Sequence, residues 1–178
     1  MRIIGGEFRS RRLKSPLGME TRPTPDRLRE SLFNILAPRI EGAVFVDAYA
    51  GGGSVGIEAI SRGARRAVFI ERNRANVALI RENLASLHAE DRAQLIHGGA
   101  ATYLGNLVAD IYFLDPPYDR PGEYESSFRA LESRAGALVI AQHATREKLA
   151  DEYGPLRRTR IVKQGDNSLS FYDVAGVH

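Results

Sequence analysis

The sequence predicts an α/β domain built on a mostly parallel β-sheet. From residue 43 onward, short apolar runs alternate with amphipathic stretches, an arrangement typical of βαβ units. Five runs are predicted strands: residues 43–46, 67–70, 94–97, 111–114 and 138–141. Two further runs, residues 159–163 and 168–174, flank the turn-forming residues 165–167 and predict an antiparallel hairpin. The expected sheet therefore has seven strands and ends in a hairpin.

The helices between these strands are predicted by their apolar stripes and their end residues. Residues 54–62 read as a short helix that Gly63 closes. A second helix is predicted by four apolar residues at helical spacing: Val77, Ile80, Leu84 and Leu87. Each helix follows a predicted strand, as the βαβ pattern requires.

The first forty residues do not follow this pattern. We therefore divide the chain into a basic N-terminal part, residues 1–40, and a larger domain, residues 41–178. Residues 2–14 alternate basic and apolar side chains around Gly5 and Gly6, which predicts a short exposed hairpin or arm. Thr24, Pro25 and Asp26 then predict the start of a helix, with Thr24 as its cap and Pro25 as its first residue. We expect this part to pack on the larger domain.

Composition narrows the class of protein. Hydrophobic residues make up 43% of the chain and charged residues 26%, as in soluble globular proteins. No apolar run approaches the ~20 residues that cross a bilayer, and the N-terminus lacks the apolar stretch of a secretion signal. The chain has no Cys and four scattered His, which argues against disulfides and metal clusters. We expect a cytoplasmic protein without a metal ion or a membrane partner, and we expect a monomer.

Positive charge is concentrated at the N-terminus. Residues 1–39 hold nine Arg or Lys and four Asp or Glu, whereas the net charge of the whole chain is +3. Such a stretch suits phosphate binding, because each contact from Lys or Arg releases condensed counterions. An ordinary solvated surface would have the same composition. Our candidates for phosphate contacts are Arg9, Arg11, Arg12 and Lys14.

A glycine-rich loop joins the first strand to the helix after it. Gly51, Gly53 and Gly56 satisfy the pattern G-x-G-x-x-G, and Glu71 ends the next strand. Glycines let backbone N–H groups approach a nucleotide-like cofactor, and an acid at that position accepts hydrogen bonds from ribose hydroxyls. Asp47, at the end of the first strand, favours a ligand with positive charge and would repel a pyrophosphate. These residues alone leave the ligand open.

The segment Asp115-Pro116-Pro117-Tyr118 follows the fourth predicted strand directly. Two prolines stiffen the loop at the carboxyl edge of the sheet, where open α/β sheets bind ligands. The Asp115 carboxylate and the Pro116 carbonyl can accept the two hydrogens of an aromatic amine, while the Tyr118 ring stacks on the base. An exocyclic amine is a poor nucleophile because its lone pair is delocalised. Acceptors on both hydrogens stabilise the positive charge that develops as the amine attacks a methyl carbon.

Together these segments resemble the class I S-adenosylmethionine-dependent amino-methyltransferases, which have a Rossmann-like fold. Within that class they are most similar to the RsmD family of 16S rRNA guanine-N2 methyltransferases. The similarity covers nearly the whole chain: residues 2–6, 21–24, 26–34, 47–53, 56–64, 71–73 and 115–118. The N-terminal segments narrow the assignment, because many amino-methyltransferases share the glycine loop and the Asp-Pro-Pro-Tyr segment.

The resemblance implies S-adenosylmethionine as cofactor and S-adenosylhomocysteine as product. It implies that the glycine loop holds the amino acid part of the cofactor, Glu71 its ribose, and the residues around Gly98 its adenine. The cofactor-binding residues so implied are Asp47, Ala48, Tyr49, Ala50, Gly51, Gly53, Glu71, Arg72, Asn73, Gly98, Gly99 and Ala100. The catalytic residues so implied, which would hold the target guanine, are Asp115, Pro116, Pro117 and Tyr118.

The resemblance also implies 16S rRNA, or the small ribosomal subunit, as partner. The RNA-binding residues that we expect are Arg9, Arg11, Arg12, Lys14, Arg22, Thr24 and Asn34, the last three as part of the target pocket. The chain departs from the family at three places. Gly52 stands where many relatives have Ser, Gln142 where an acid is common, and residues 98–100 lack the polar side chain often found near the adenine.

Other functions compete with rRNA methylation. An amino-methyltransferase acting on adenine-N6 in DNA or RNA would use the same motifs, although a DNA enzyme usually carries a recognition domain for which this chain has no room. Protein-amide methyltransferases generally have Asn in place of Asp115. An NAD-binding oxidoreductase would match G-x-G-x-x-G, but no His, Lys or Tyr is arranged for hydride chemistry. A non-catalytic RNA-binding assembly factor would not need the Asp115 loop.

Overall fold

Strands and helices alternate along the chain in a computed structural model that describes residues 1–17, 25–134 and 136–174. The strands are β1 (Val44–Asp47), β2 (Arg66–Glu71), β3 (Ala93–His97), β4 (Ile111–Leu114), β5 (Leu138–Ala144), β6 (Glu152–Tyr153), β7 (Leu156–Gln164) and β8 (Asn167–Val174). The helices are α1 (Asp26–Ile40), α2 (Ser54–Ser61), α3 (Arg74–Ser86), α4 (Ala100–Tyr103) and α5 (Gly122–Leu131).

The strands form one sheet with the order β3-β2-β1-β4-β5-β8-β7-β6. Strands β1 to β5 run parallel, and β8, β7 and β6 extend the sheet with antiparallel pairing. The mostly parallel sheet with a C-terminal hairpin is therefore confirmed. The predicted count of seven strands is one too low. The additional strand, β6, has only two residues, which is too short to show an alternating pattern in the sequence.

The order of the strands reverses between β1 and β4. From β1 the chain proceeds outward through β2 to β3, and then returns to place β4 and β5 on the other side of β1. Open α/β sheets bind ligands in the crevice that such a reversal leaves at the carboxyl ends of the strands. Asp47 ends β1 and Asp115 directly follows β4. The fold thus brings two carboxylates to the edge of this crevice.

Helices cover both faces of the parallel strands. Alternate residues of β2 show the two layers: Ala67 and Phe69 pack with α2, α3 and the N-terminal arm, whereas Val68 and Ile70 pack with α4 and α5. Strands buried on both faces explain the continuous apolar runs in the sequence. Within the three described ranges, none of the helices combines the length and the apolar character that crossing a membrane requires.

The N-terminal arm, residues 2–14, packs on α2 and α3. An antiparallel bridge joins Arg2 to Arg12, and Ile3, Phe8 and Leu13 are buried in the core that α2 and α3 share. The hairpin-like pairing agrees with the sequence prediction. The arm is exposed on one side only, because its apolar side chains turn inward while its basic side chains face solvent.

Glu58 of α2 anchors the start of the arm. Its side chain is fully buried, and its carboxylate accepts hydrogen bonds from the backbone N–H of Ile4 (2.9 Å) and Gly5 (2.9 Å) and from Nε of Arg62 (2.9 Å). Nε of the buried Arg29 lies 3.6 Å from the same carboxylate. A buried charge is tolerated only when it is paired and hydrogen-bonded. Because these partners include two backbone N–H groups of the arm, the Glu58 carboxylate has its full set of hydrogen bonds when the arm is docked.

Helix α1 begins one residue later than predicted. Its first residue is Asp26, and Pro25 occupies the N-cap position, where its carbonyl accepts the N–H of Leu28 (2.9 Å) and Arg29 (3.0 Å). Proline is tolerated at the start of a helix because the first N–H groups have no partner within the helix. Thr24, the predicted cap, lies outside the described residues.

Candidate active site

The glycine loop leaves the carboxyl end of β1 and leads into α2. Gly51 (φ +56°) and Gly53 (φ +87°) adopt left-handed backbone conformations that favour glycine. A Cβ at Gly51 would meet nothing within 4 Å, so the space in front of the loop is open. At Gly56 a Cβ would lie 2.3 Å from Cε1 of Phe69. The first two glycines thus shape an open loop, and the third allows α2 to pack closely on β2.

Asp47 lies buried at the base of the crevice. Oδ2 accepts the N–H of Gly56 at 3.0 Å and so caps the first turn of α2. The pKa of Asp47 is raised to about 7, first because the carboxylate is buried and also because the carboxylates of Asp115 and Glu71 lie nearby, while the bond from Gly56 acts in the opposite direction. Three carboxylates therefore converge here, and their mutual repulsion would be relieved by a bound cation.

Glu71 is held against the glycine loop. It ends β2, and its carboxylate accepts the N–H of Gly51 at 2.8 Å and the N–H of Asn73 at 2.8 Å. Asn73 in turn caps α3 by accepting the N–H of Asn76 at 3.1 Å. The acid that the sequence predicts at the end of the second strand is therefore in direct contact with the glycine loop.

The carboxyl end of β3 borders Glu71. The N–H of Gly98 donates to the backbone carbonyl of Glu71 at 2.9 Å. A Cβ at Gly98 would lie 2.4 Å from the ring of Tyr103, so a side chain there would require this ring to move. Gly99 precedes α4 in an extended conformation. Arg72, next to Glu71, reaches across to Glu123 at the start of α5, with 3.2 Å between Nη2 and Oε1.

Residues 48–50 connect β1 to the loop and fix its position. The N–H of Ala48 donates to the carbonyl of Phe113 (3.0 Å), and that of Ala50 to the carbonyl of Ile70 (3.0 Å). The Tyr49 hydroxyl lies 2.7 Å from Oγ of Ser127 in α5. Burial raises the pKa of Tyr49 to about 12, so its phenol stays neutral and keeps this hydrogen bond at any physiological pH.

The Asp-Pro-Pro-Tyr turn forms the outer wall of the crevice. Asp115 is half-buried and Pro116 buried, whereas the Tyr118 side chain is 56% exposed. An exposed ring on a stiff turn is accessible for stacking on a base. Beneath the turn, the buried Tyr124 donates from its hydroxyl to the carbonyl of Gln142 at 2.6 Å. Burial, together with the charge of Asp115, raises the pKa of Tyr124, so it remains a donor to that carbonyl.

The structure brings the predicted cofactor-binding and catalytic residues together at the carboxyl ends of β1 to β4. The predicted RNA-binding residues that the structure describes lie outside this cluster, although the Lys14 backbone is hydrogen-bonded to Asn83, which in turn contacts the glycine loop. Arg9, Arg11, Arg12 and Lys14 are exposed on the arm, and Asn34 is exposed on α1. Nη2 of Arg11 donates to the carbonyl of Ser86 (2.8 Å) at the far end of α3, which is the opposite edge of the sheet. Arg22 and Thr24 lie outside the described residues. The roles of all these residues stay predictions.

Two buried polar side chains behind the crevice were missed from the sequence. Glu58 lies fully buried in α2, and Asn83 is buried on the inner face of α3. The sequence did carry a signal for each of them. Both polar residues lie one helical turn from a buried apolar residue, Glu58 from Val55 and Asn83 from Ile80. A polar residue on a buried helical face needs a specific partner.

The crevice has the properties that S-adenosylmethionine requires of its site. That molecule is a cation that carries an ammonium and a sulfonium group, and the three carboxylates together with the open space at Gly51 suit it. Over the described parts of the chain, the acidic and His side chains form no group arranged to hold a metal ion. The reversed parallel sheet, the glycine loop and the acids behind it define the class I S-adenosylmethionine-dependent methyltransferase fold.

Within this class, a family model described as "Conserved hypothetical protein 95" matches residues 1–173. The chain belongs to this family, which is the RsmD family. Ribosomal RNA small subunit methyltransferase D of Escherichia coli is 42% identical over 134 residues, which are 74% of this chain and 67% of that protein. A Bacillus subtilis protein named as an rRNA methyltransferase, YlbH, is 31% identical over 99% of this chain and 100% of its own length.

Solved structures share the fold. An Escherichia coli protein described as a methyltransferase, yhhF, superimposes with a TM-score of 0.84 at 34% identity, covering 97% of this chain and 96% of that one. An RNA methyltransferase from Salinibacter ruber, solved in complex with S-adenosyl-L-homocysteine, has a TM-score of 0.70 at 18% identity over 86% of this chain and 94% of its own. The predicted class I fold and the family resemblance are confirmed, and the hypothesis of an NAD-binding oxidoreductase finds no support.

Proposed function

We propose that this protein transfers a methyl group from S-adenosylmethionine to the exocyclic N2 amine of a guanine in the 16S rRNA of the small ribosomal subunit. The observation that carries the proposal is the position of the Asp115–Tyr118 turn. It lies at the same crevice as the buried Asp47, with Asp115 half-buried and Tyr118 open to solvent. The names of the family members support an rRNA substrate.

The cofactor supplies a methyl group on positively charged sulfur. Asp47 and the backbone of the glycine loop would hold its amino acid part, since the loop is open at Gly51 and Asp47 is the buried anion behind it. Glu71 would accept hydrogen bonds from the ribose hydroxyls, because each carboxylate oxygen has lone pairs beyond the one that a backbone N–H occupies. Backbone groups of residues 98–100 would border the adenine.

Asp115, Pro116 and Tyr118 would position the target base. The Asp115 carboxylate and the Pro116 carbonyl accept the two hydrogens of the N2 amine, which favours the pyramidal form of the nitrogen and directs its lone pair away from the ring. The Tyr118 ring stacks on the base and fixes its plane. As positive charge develops on the nitrogen, the Asp115 carboxylate stabilises it. Asp115 then accepts the proton that the methylated nitrogen releases and, being half-exposed, passes it to water.

The target guanine must leave its stack to reach this turn. Extrusion is cheaper from a loop or bulge than from a continuous helix, so we propose a single-stranded or bulged target. We propose that residues 1–40 serve RNA binding, with Arg9, Arg11, Arg12 and Lys14 contacting phosphates. We also propose that the protein acts in the cytoplasm as a monomer.

Methylation of small subunits tests the proposal. Subunits prepared without this modification are incubated with labelled S-adenosylmethionine and either wild-type protein, Asp115→Asn or Asp119→Asn. Asp119 is an exposed carboxylate of the same loop and serves as the matched control. We expect Asp115→Asn to reduce the rate about 10²–10³-fold, as loss of one charge-stabilising group does elsewhere, and Asp119→Asn to keep it.

Mass mapping of the labelled RNA identifies the product. N2-methylguanosine at one position in 16S rRNA supports the proposed reaction. N6-methyladenosine would instead show that the substrate base is wrong, and equal rates for the two variants would remove Asp115 from the mechanism.

A further inference from the structure

Asn83 is a polar side chain on the buried face of α3. It is 2% exposed and lies next to Leu84 in the core that α3 shares with α2 and the arm. An amide buried in this way must find partners for its donors and acceptor, because an unpaired polar group in a core is costly. The partners of the Asn83 amide therefore show which parts of the chain it connects.

The Asn83 amide joins the backbone of the arm to the backbone of the glycine loop. Nδ2 donates to the carbonyl of Gly52 at 3.0 Å and to the carbonyl of Lys14 at 3.0 Å. Oδ1 accepts the N–H of Lys14 at 2.9 Å. Both amide hydrogens and the carbonyl oxygen are thus engaged, and the partners fix which atom is oxygen and which nitrogen. Three hydrogen bonds connect segments that lie 69 and 31 residues away in sequence.

The residues that flank the arm on either side, Met1 and Pro16, lie directly behind Gly52. A Cβ at Gly52 would be 2.9 Å from Cδ of Pro16 and 3.0 Å from Cε of Met1. Met1 is in turn held by Leu13, whose N–H donates to the Met1 carbonyl at 2.8 Å. The back of the glycine loop therefore rests on the arm, while its front remains open at Gly51.

We infer that Asn83 is a positioning residue that ties the cofactor loop to the Lys14 end of the N-terminal arm and so sets the conformation of the loop, which makes this end of the arm part of the cofactor site. Gly51 and Gly53 give the loop wide backbone freedom, so a hydrogen bond to the carbonyl between them removes conformations that do not fit the cofactor. The inference rests on the proposed function only in taking this loop as the binding site of S-adenosylmethionine.

Asn83→Leu tests the inference, since leucine has a similar size and removes all three hydrogen bonds. Ser61→Ala is the matched control. The hydroxyl of Ser61 accepts the N–H of Phe8 at 2.9 Å and donates to the carbonyl of Gly5 at 2.6 Å, so this change loosens the arm at its turn, away from the glycine loop. Calorimetric titration with S-adenosylhomocysteine gives Kd, thermal unfolding gives Tm, and steady-state kinetics give KM and kcat.

For Asn83→Leu we expect Kd for S-adenosylhomocysteine and KM for S-adenosylmethionine to rise about tenfold, with kcat at saturating cofactor within about twofold of wild type. For Ser61→Ala we expect a lower Tm and an unchanged Kd. Should Asn83→Leu fail to fold, Asn83→Asp replaces it, because it keeps the acceptor for Lys14 and loses the donor to Gly52. The same rise in Kd is expected.

An unchanged Kd in the Asn83 variants, together with a lower Tm, would show that Asn83 only stabilises the fold and would overturn the inference. Because this titration contains no RNA, its outcome is independent of the substrate. A protein that binds S-adenosylhomocysteine, responds at Asn83 and methylates no rRNA would contradict the proposed function and leave the inference standing.

Discussion

Folding favours the protonated form of the Asp47 carboxyl, whereas binding of a cationic cofactor favours the ionised form. The unfolded chain titrates this carboxyl near its ordinary pKa of 3.8, whereas in the folded protein burial raises the pKa to about 7. Between these values the folded state binds the proton more tightly than the unfolded state. The contribution of Asp47 to the free energy of unfolding therefore falls as pH rises from about 4 to about 7, and it stays low above that.

The substitution Asp47→Asn should separate the effect of Asp47 on stability from its effect on cofactor binding. Asparagine keeps an oxygen that can accept the N–H of Gly56, but it carries no charge. Without cofactor at pH 8, we expect the variant to have a higher Tm than wild type, with at least a tenfold weaker affinity for S-adenosylmethionine. In the wild type, this affinity should weaken as pH falls below about 7, since a cation favours the ionised carboxylate, and the variant should lose that dependence. A lower Tm of the variant at pH 8 would show that the ionised Asp47 carboxylate does not destabilise the fold. Asp119→Asn, which removes an exposed carboxylate, serves as the control.

The positions of individual residues are predictable from the sequence where a motif coincides with the end of a strand. Asp47, Glu71 and Asp115 were assigned from their positions after apolar runs, and all three lie at the crevice. For Glu58 and Asn83 the sequence shows only a polar residue in an apolar setting and not its partners, because these include backbone groups of an arm more than fifty residues away. No local pattern records a contact of that kind.

The turn of the arm packs closely against the end of α2. Gly6 has a φ of +81°, and a Cβ there would lie 1.9 Å from the carbonyl oxygen of Ser61. The neighbouring N–H of Glu7 donates to that same oxygen at 2.8 Å. A side chain at position 6 would therefore displace the arm from the helix and break this hydrogen bond.

Gly6→Ala should be much more destabilising than Gly42→Ala. Gly42 has a similar φ of +75°, with nothing within 4 Å of its Cβ position. Both changes incur the cost of about 1–2 kcal/mol for a left-handed non-glycine residue. Gly6→Ala should lose about 2 kcal/mol more, because it also breaks the hydrogen bond that docks the arm. Urea unfolding measures both, and equal losses would show that the arm contributes little to stability.

The strands of the parallel sheet were predicted to within a residue or two, except where pairing distant in sequence extends them. β5 continues to Ala144, three residues beyond the prediction, because Gln142, His143 and Ala144 pair with the start of β8. For the same reason Asn167, predicted in the turn, begins β8. The local sequence pattern of a strand does not show how far it pairs with a strand that is distant in the sequence.

Across the whole molecule, the Arg11 part of the basic arm and the Asp115–Tyr118 turn lie toward opposite edges of the sheet, whereas Lys14 lies near the glycine loop. Arg11 contacts the end of α3, whereas Asp115 lies at the carboxyl ends of the strands. An RNA that meets both must extend across the helical face that the arm covers. The charge pattern of the sequence predicts that the arm binds phosphate, but it does not show that Arg11 lies toward the edge of the sheet away from Asp115.

Neutralising Arg9, Arg11, Arg12 and Lys14 to Gln should weaken RNA binding and leave the catalytic step intact. We expect the slope of log K against log salt to become shallower by about 0.7–0.9 for each phosphate that the variant no longer neutralises, with kcat at saturating RNA near the wild-type value. Binding titrations of 16S rRNA at several salt concentrations measure the slope. An unchanged slope would leave the arm with its structural role alone.

The residues at positions 98 and 103 constrain each other sterically. The ring of Tyr103 fills the volume that any side chain at Gly98 would enter, 2.4 Å from the Cβ position. A polar side chain at position 98 would therefore require a smaller residue at position 103 or a Tyr103 ring that has turned aside. The two positions should therefore co-vary among homologues, with a large aromatic residue at one accompanied by glycine at the other.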